Sequence, residues 1–139
     1  MKLKTRDIVY IGFIAALCAV ATTIRIEIPG GAMVHLGSAA LFTTSILFGG
    51  LYGGLGAAIG SALFDLFGGH TQYIVFSFFI KGIAGLIVGG MTAGYLPPSI
   101  TKPNASFTRI LVALIIGTIW TAFGYFLAWW FVLESAVVA

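Results

Sequence analysis

Between Ile8 and Leu133 the chain is a series of long apolar runs, broken only by short stretches rich in glycine, proline or charge. Few folds accept such a sequence. A helix needs about 20 apolar residues to cross a bilayer, whereas a barrel strand shows about 10 that alternate apolar and polar. The runs here are continuous and do not alternate, so the chain is read as a bundle of membrane-spanning helices. Composition agrees. Of 139 residues, 60% are apolar and 8% charged, too few charges to cover a water-facing surface. Disorder, nucleic-acid binding and a secreted disulfide scaffold are excluded on the same ground.

The punctuation predicts five spans. The first runs from about Ile8 to Ile24 and ends at Arg25 and Glu27. After a loop with Pro29-Gly30-Gly31, the second starts near His35 or Leu36 and reaches Phe48. Gly49-Gly50 breaks the chain before a third span, Leu51 to Phe67, closed by Gly68-Gly69-His70. The fourth runs from Tyr73 to Tyr95 and stops at Pro97-Pro98, because proline lacks the helical donor. A polar linker, Ser99 to Ser106, leads to the fifth, Phe107 to Leu133. The expected fold class is thus an all-α integral membrane protein, a compact bundle of five transmembrane helices in one domain over residues 1–139.

Basic residues orient the bundle. With the N-terminus in the cytoplasm, Lys2, Lys4, Arg6, Lys102 and Arg109 lie inside and Arg25 outside. An odd number of spans then places the C-terminus outside. The Asn104-Ala-Ser106 sequon falls on the cytoplasmic side and is read as chance. Cys18 has no partner cysteine and reads as a small buried apolar residue.

Helix contacts are written in small residues four apart, which share a face and let backbones approach. Gly50/Gly54, Gly56/Gly60 and Ala58/Ala62 lie in span three, and Gly85/Gly89 and Gly90/Gly94 in span four. These are expected to pack the bundle internally. Gly12/Ala16 and Ala15/Ala19 in span one suit either internal packing or a partner-facing stripe.

No phosphate loop, zinc-protease helix or serine-nucleophile elbow is present, and two isolated histidines make a poor metal site. The intramembrane charges carry the information instead, since charge at this depth is costly and is paired or functional. Asp65 lies near the outer end of span three. Lys81 enters span four by eight residues, about 12 Å at the helical rise, and its stem can snorkel outward toward Asp65. They form either an ion pair that fixes packing or the polar end of a ligand pocket. Tyr73, Ser77 and Lys81 make a stripe on span four, and Thr121, Tyr125 and Trp129 another on span five. Trp130 suits an interfacial belt. Tyr125 and Trp129 suit an aromatic pocket wall for a small, flat, polar ligand. Glu27, in a glycine-rich outer loop, and His35, at the start of span two, are further candidates.

Four segments then point to a family. His35-Leu-Gly-Ser38, Leu47-Phe-Gly-Gly-Leu-Tyr-Gly-Gly54, Gly60-Ser-Ala-Leu-Phe-Asp65 and Ile80-Lys-Gly82 resemble the substrate-binding S component of energy-coupling factor (ECF) vitamin transporters, in the riboflavin and hydroxymethylpyrimidine branch. The resemblance covers residues 8–133 and is densest over 35–94. It implies six helices, so a sixth is expected after Glu134 and the chain is read as lacking it. It implies binding of a vitamin at the outer face, with hydroxymethylpyrimidine or pyridoxine first and pantothenate or riboflavin next. It implies docking on a membrane T component that carries two cytoplasmic ATPases, in the plasma membrane of a bacterium. ATP and Mg then belong to those partners; this chain needs no cofactor and is not an enzyme. Ala15 and Ala19 match the family's first-helix alanine spacing, and with Gly12 and Ala16 they form the expected partner face. Ser38 stands where the family often has an acid, which leaves the role of that position open. The competing readings are a stand-alone oligomeric secondary transporter and a ligand-free membrane scaffold.

Overall fold

A computed structural model describes residues 4–29, 32–69, 71–92 and 106–138. Five helices carry the chain: α1 (Thr5–Thr23), α2 (Gly37–Phe48), α3 (Gly50–Phe67), α4 (Ile74–Thr92) and α5 (Phe107–Val138). The chain is an all-α membrane protein, and four of the helices are long and apolar enough to cross a bilayer. The exception is α2. Its 12 residues rise only about 18 Å, less than the hydrocarbon thickness. The second span is therefore shorter than a full crossing.

The segment before α2 is not a plain loop. β1 (Arg25–Ile28) and β2 (Ala32–His35) pair antiparallel, with Arg25 opposite His35 and Glu27 opposite Met33. Ile26, Ile28 and Val34 supply the β-branched residues that favour strands, and Pro29 marks the turn at the end of β1. The Leu36 N–H donates to the Ile24 carbonyl at 3.1 Å and closes the hairpin at its base. A 3-10 turn, Thr71–Tyr73, precedes α4. The expected end of span four at Tyr95 and the linker with Lys102 and Asn104 lie outside the described residues. α5 is longer than expected and continues past Glu134 to Val138.

The centre of the bundle is the contact between α3 and α4, which run antiparallel. A Cβ built on Gly85 would lie 2.6 Å from the Gly54 Cα, and one on Gly89 would overlap the Gly50 backbone. Only glycines permit this approach, which puts the two backbones in direct contact. α1 runs parallel to α3 on its other side: Asp7 meets Tyr52, Ile14 meets Gly56, and Ala15 and Cys18 meet Gly60. Gly49, with a φ of 94°, makes the sharp turn between α2 and α3 in a region that side chains avoid. α5 packs antiparallel on α4, where Val88 and Ile80 fill the space over Gly117 and Gly124. The core is small: Ile11, Ile14, Cys18, Leu41, Tyr52, Ala57 and Ala84. Large apolar residues point outward on every long helix, among them Phe13, Phe79, Ile119 and Phe131. This inside-out distribution fits a lipid surround and would be costly in water.

The glycine contact generates a test. Gly85→Leu should cost about 1–3 kcal/mol of stability through overpacking. Gly12→Ala should instead raise stability by up to about 1 kcal/mol, since alanine is the better helix former and nothing lies within 4 Å of a Cβ there. Thermal unfolding of the purified variants in detergent reads both.

Candidate functional site

Several hydroxyls in the described helices bond within their own helix. Thr22 donates to the Cys18 carbonyl, Thr92 to Val88, Thr118 to Leu114 and Thr121 to Gly117. This satisfies them where lipid offers no partner. A second set of polar groups bonds between helices instead, and these groups gather around Lys81.

Lys81 is 4% exposed. Its Nζ donates to the Ser38 Oγ at 2.8 Å, joining α4 to the first turn of α2. The same ammonium lies 5.5 Å from the centroid of the Tyr125 ring, within cation–π range. Tyr125 donates its phenolic proton to the Ser77 Oγ at 3.0 Å, one turn along α4. Asp65, 9% exposed on α3, acts electrostatically on both Lys81 and Tyr125. Cys18, from α1, lies on the inner side of the group, with its thiol near Thr44. Four helices thus bring an ammonium, a carboxylate, two serine hydroxyls and a tyrosine to one place.

Local structure explains the arrangement. Ser77 and Lys81 are four apart and share one face of α4. Tyr125 reaches them because α5 crosses closely at Gly124, where Ile80 fills the space that a side chain would need. The Trp120 indole donates to the Ile80 carbonyl at 3.1 Å and fixes the turn just before Lys81. Ser38 reaches the ammonium because α2 is short. Its first turn starts beside Lys81 rather than at the end of the bundle.

The remaining candidates are placed as follows. Tyr73 is half-buried in the 3-10 turn ahead of α4. Trp129, one turn beyond Tyr125, is 54% exposed, an exposure that suits lipid contact as Trp130 does. Glu27 and His35 lie on the backbone of the hairpin, but their side chains are outside the described structure. Arg25, at the base of the hairpin, sits over the Phe64 ring at 5.8 Å, next to Asp65 in sequence. On α1, Gly12 and Ala16 face outward, whereas Ala15 is 3% exposed and packs against α3 at Gly60; Ala19 is intermediate. The helical period separates the two pairs, so the outward stripe is Gly12/Ala16. Reasoning from sequence singled out Lys81, Ser77, Tyr125 and Asp65, and underrated Ser38 and Trp120. The one signal for Ser38 was its position directly after His35-Leu-Gly.

Comparison with known proteins supplies the family. Residues 2–139 match the family described as "ECF-type riboflavin transporter, S component". A Pyrococcus woesei protein, described as an uncharacterized protein in gap 3'region, is 31% identical over 111 residues, which is 79% of this chain and 68% of that protein. The match runs through every described helix and through all the residues gathered around Lys81. The chain therefore belongs to the ECF-type riboflavin transporter S component family.

Proposed function

We propose that this chain binds a water-soluble vitamin, riboflavin first, in the site around Lys81, and delivers it through an ECF complex. The observation that carries the reading is a buried ammonium held by a neutral hydroxyl and an aromatic face inside an apolar bundle. Burying that charge is expensive, and a ligand acceptor at the site returns the cost as binding. The group offers an ammonium and hydroxyls that donate, a carboxylate that accepts and an aromatic ring that stacks. A flat heterocycle with carbonyl and N–H edges matches that set. The family description supports riboflavin ahead of hydroxymethylpyrimidine, pyridoxine and pantothenate.

In this reading the hairpin and the first turn of α2 face the cell exterior, and the N-terminus lies in the cytoplasm of a bacterial cell. That orientation agrees with the basic residues Lys2, Lys4, Arg6, Lys102 and Arg109 on the inner side. The chain performs no reaction itself. Its partners are a membrane T component and two ATPase subunits, which use ATP and Mg. The outward face of α1 around Gly12 and Ala16 is the docking face for the T component, since small residues there admit close helix approach.

Two experiments test this. Purified protein should retain endogenous vitamin, identified by mass spectrometry after denaturation. In riboflavin titrations, Lys81→Met should weaken binding at least about tenfold, about 1.4 kcal/mol. Unchanged affinity would reduce Lys81 to a packing residue, and proton-driven transport by the lone protein in liposomes would favour a secondary transporter. Separately, Ala16→Leu should block co-purification of the T component while riboflavin affinity stays within about twofold, because surface substitutions of this kind scarcely alter stability. Retained assembly would move the docking face elsewhere.

A further inference from the structure

The far end of α1 holds a second buried polar group that ligand binding does not use. Asp7 is 6% exposed and Tyr52 5% exposed, and the Tyr52 hydroxyl donates to the Asp7 carboxylate. The other carboxylate oxygen accepts the Lys4 backbone N–H at 2.9 Å, which caps the first turn of α1. The Tyr52 ring stacks on Tyr10 at 5.7 Å, and Tyr10 in turn meets Phe48 at 5.9 Å. One side chain therefore caps α1 and ties it to the first turn of α3.

We infer that the Asp7–Tyr52 pair is a positioning device for partner docking: it holds the first two turns of α1 against α3 so that the Gly12/Ala16 face is presented at a fixed angle. This rests on the proposed docking role of that face. The local physics gives the pair its importance. Gly12 weakens α1 internally, since glycine costs about 1 kcal/mol in a helix. N-terminal to it, Ile8 and Val9 are 60% and 64% exposed, so the inward contacts come from Asp7, Tyr10 and Ile11, and Asp7 supplies the polar one. Without the tie, the turns before Gly12 lose their polar anchor and their cap together. Cys18 and the Lys81 group lie 11 residues further along, about 16 Å at the helical rise. They are held there by separate contacts, Ala15 and Cys18 on Gly60.

Tyr52→Phe tests the inference, because it keeps the ring on Tyr10 and removes only the hydroxyl. Asp7→Ala/Tyr52→Phe serves as a second variant that leaves no unpaired buried carboxylate if the single change fails to fold. Each is co-expressed with the T component and ATPases of the same organism, and three quantities are read: co-purified T component, riboflavin affinity, and amide hydrogen exchange along α1. The expected result is a loss of co-purified T component of about tenfold, as for removal of a hydrogen bond to a charged group. Exchange should rise only before Gly12, with riboflavin affinity unchanged. Wild-type assembly by both variants overturns the inference. So does a parallel loss of riboflavin affinity and assembly, which would make the pair a general support of the fold. A wild-type chain that assembles but binds no riboflavin counts against the proposed ligand and leaves the assembly comparison to judge the pair.

Discussion

The backbone contact between α3 and α4 governs the rest of the molecule. Lipid gives no hydrophobic drive for helix association, so the bundle depends on close packing and on polar ties. Gly54 against Gly85 and Gly50 against Gly89 bring the two axes together along two turns. That contact sets the depth of every residue on both helices. Asp65 and Lys81 fall in the same half of the bundle because the antiparallel register is fixed there. The outer helices then take their places against this pair, α1 against the second face of α3 and α5 against the second face of α4.

Once α4 is fixed, Lys81 has nowhere to send its charge except toward the hairpin end. An isolated ammonium at this depth would be prohibitive, and the structure divides the compensation among several weak partners. A serine hydroxyl at 2.8 Å, an aromatic face at 5.5 Å and the charge of Asp65 each contribute. The ammonium has three donors, and Ser38 takes one. In the proposed function, the donors that Ser38 does not take are the ones a ligand would use.

Much of this was legible from the chain. Apolar runs gave four full-length helices, because length and continuity are set by the bilayer and not by long-range contacts. The glycine pairs and the polar stripe Ser77/Lys81 were legible because a helix has a fixed period. What escaped depended on the third dimension. The β-branched residues around Pro29 carry a hairpin signal that reading Arg25 to His35 as a loop passes over, and nothing local says that α2 is shortened to 12 residues. With α2 read as a full span, Ser38 falls at the bundle's end and the tie to Lys81 cannot be foreseen. Asp65 alone then looks like the natural partner. The two small-residue pairs on α1 posed a similar problem. Ala15 and Ala19 have the same spacing as Gly12 and Ala16, and only the position of Gly60 decides which pair turns inward.

α1 joins these pieces into one mechanical argument. Its inner face touches the aromatic end through Asp7 and Tyr52, the core through Ile11 and Ile14, and α3 again at Gly60 through Ala15 and Cys18. Its outer face carries Gly12 and Ala16. In the proposed function, α1 thus sets the angle at which the proposed docking face stands to the rest of the bundle. Two polar ties among the described residues, Lys81 with Ser38 and Asp7 with Tyr52, lie toward opposite ends of the bundle. Polar ties are more directional than apolar packing, and in lipid they face little competition from solvent. A bundle with few of them is free to slide along its apolar surfaces. Asp7 with Tyr52 removes that freedom from the start of α1 against α3, and Lys81 with Ser38 does the same for α4 against α2, while the lipid-facing α5 is held chiefly by α4.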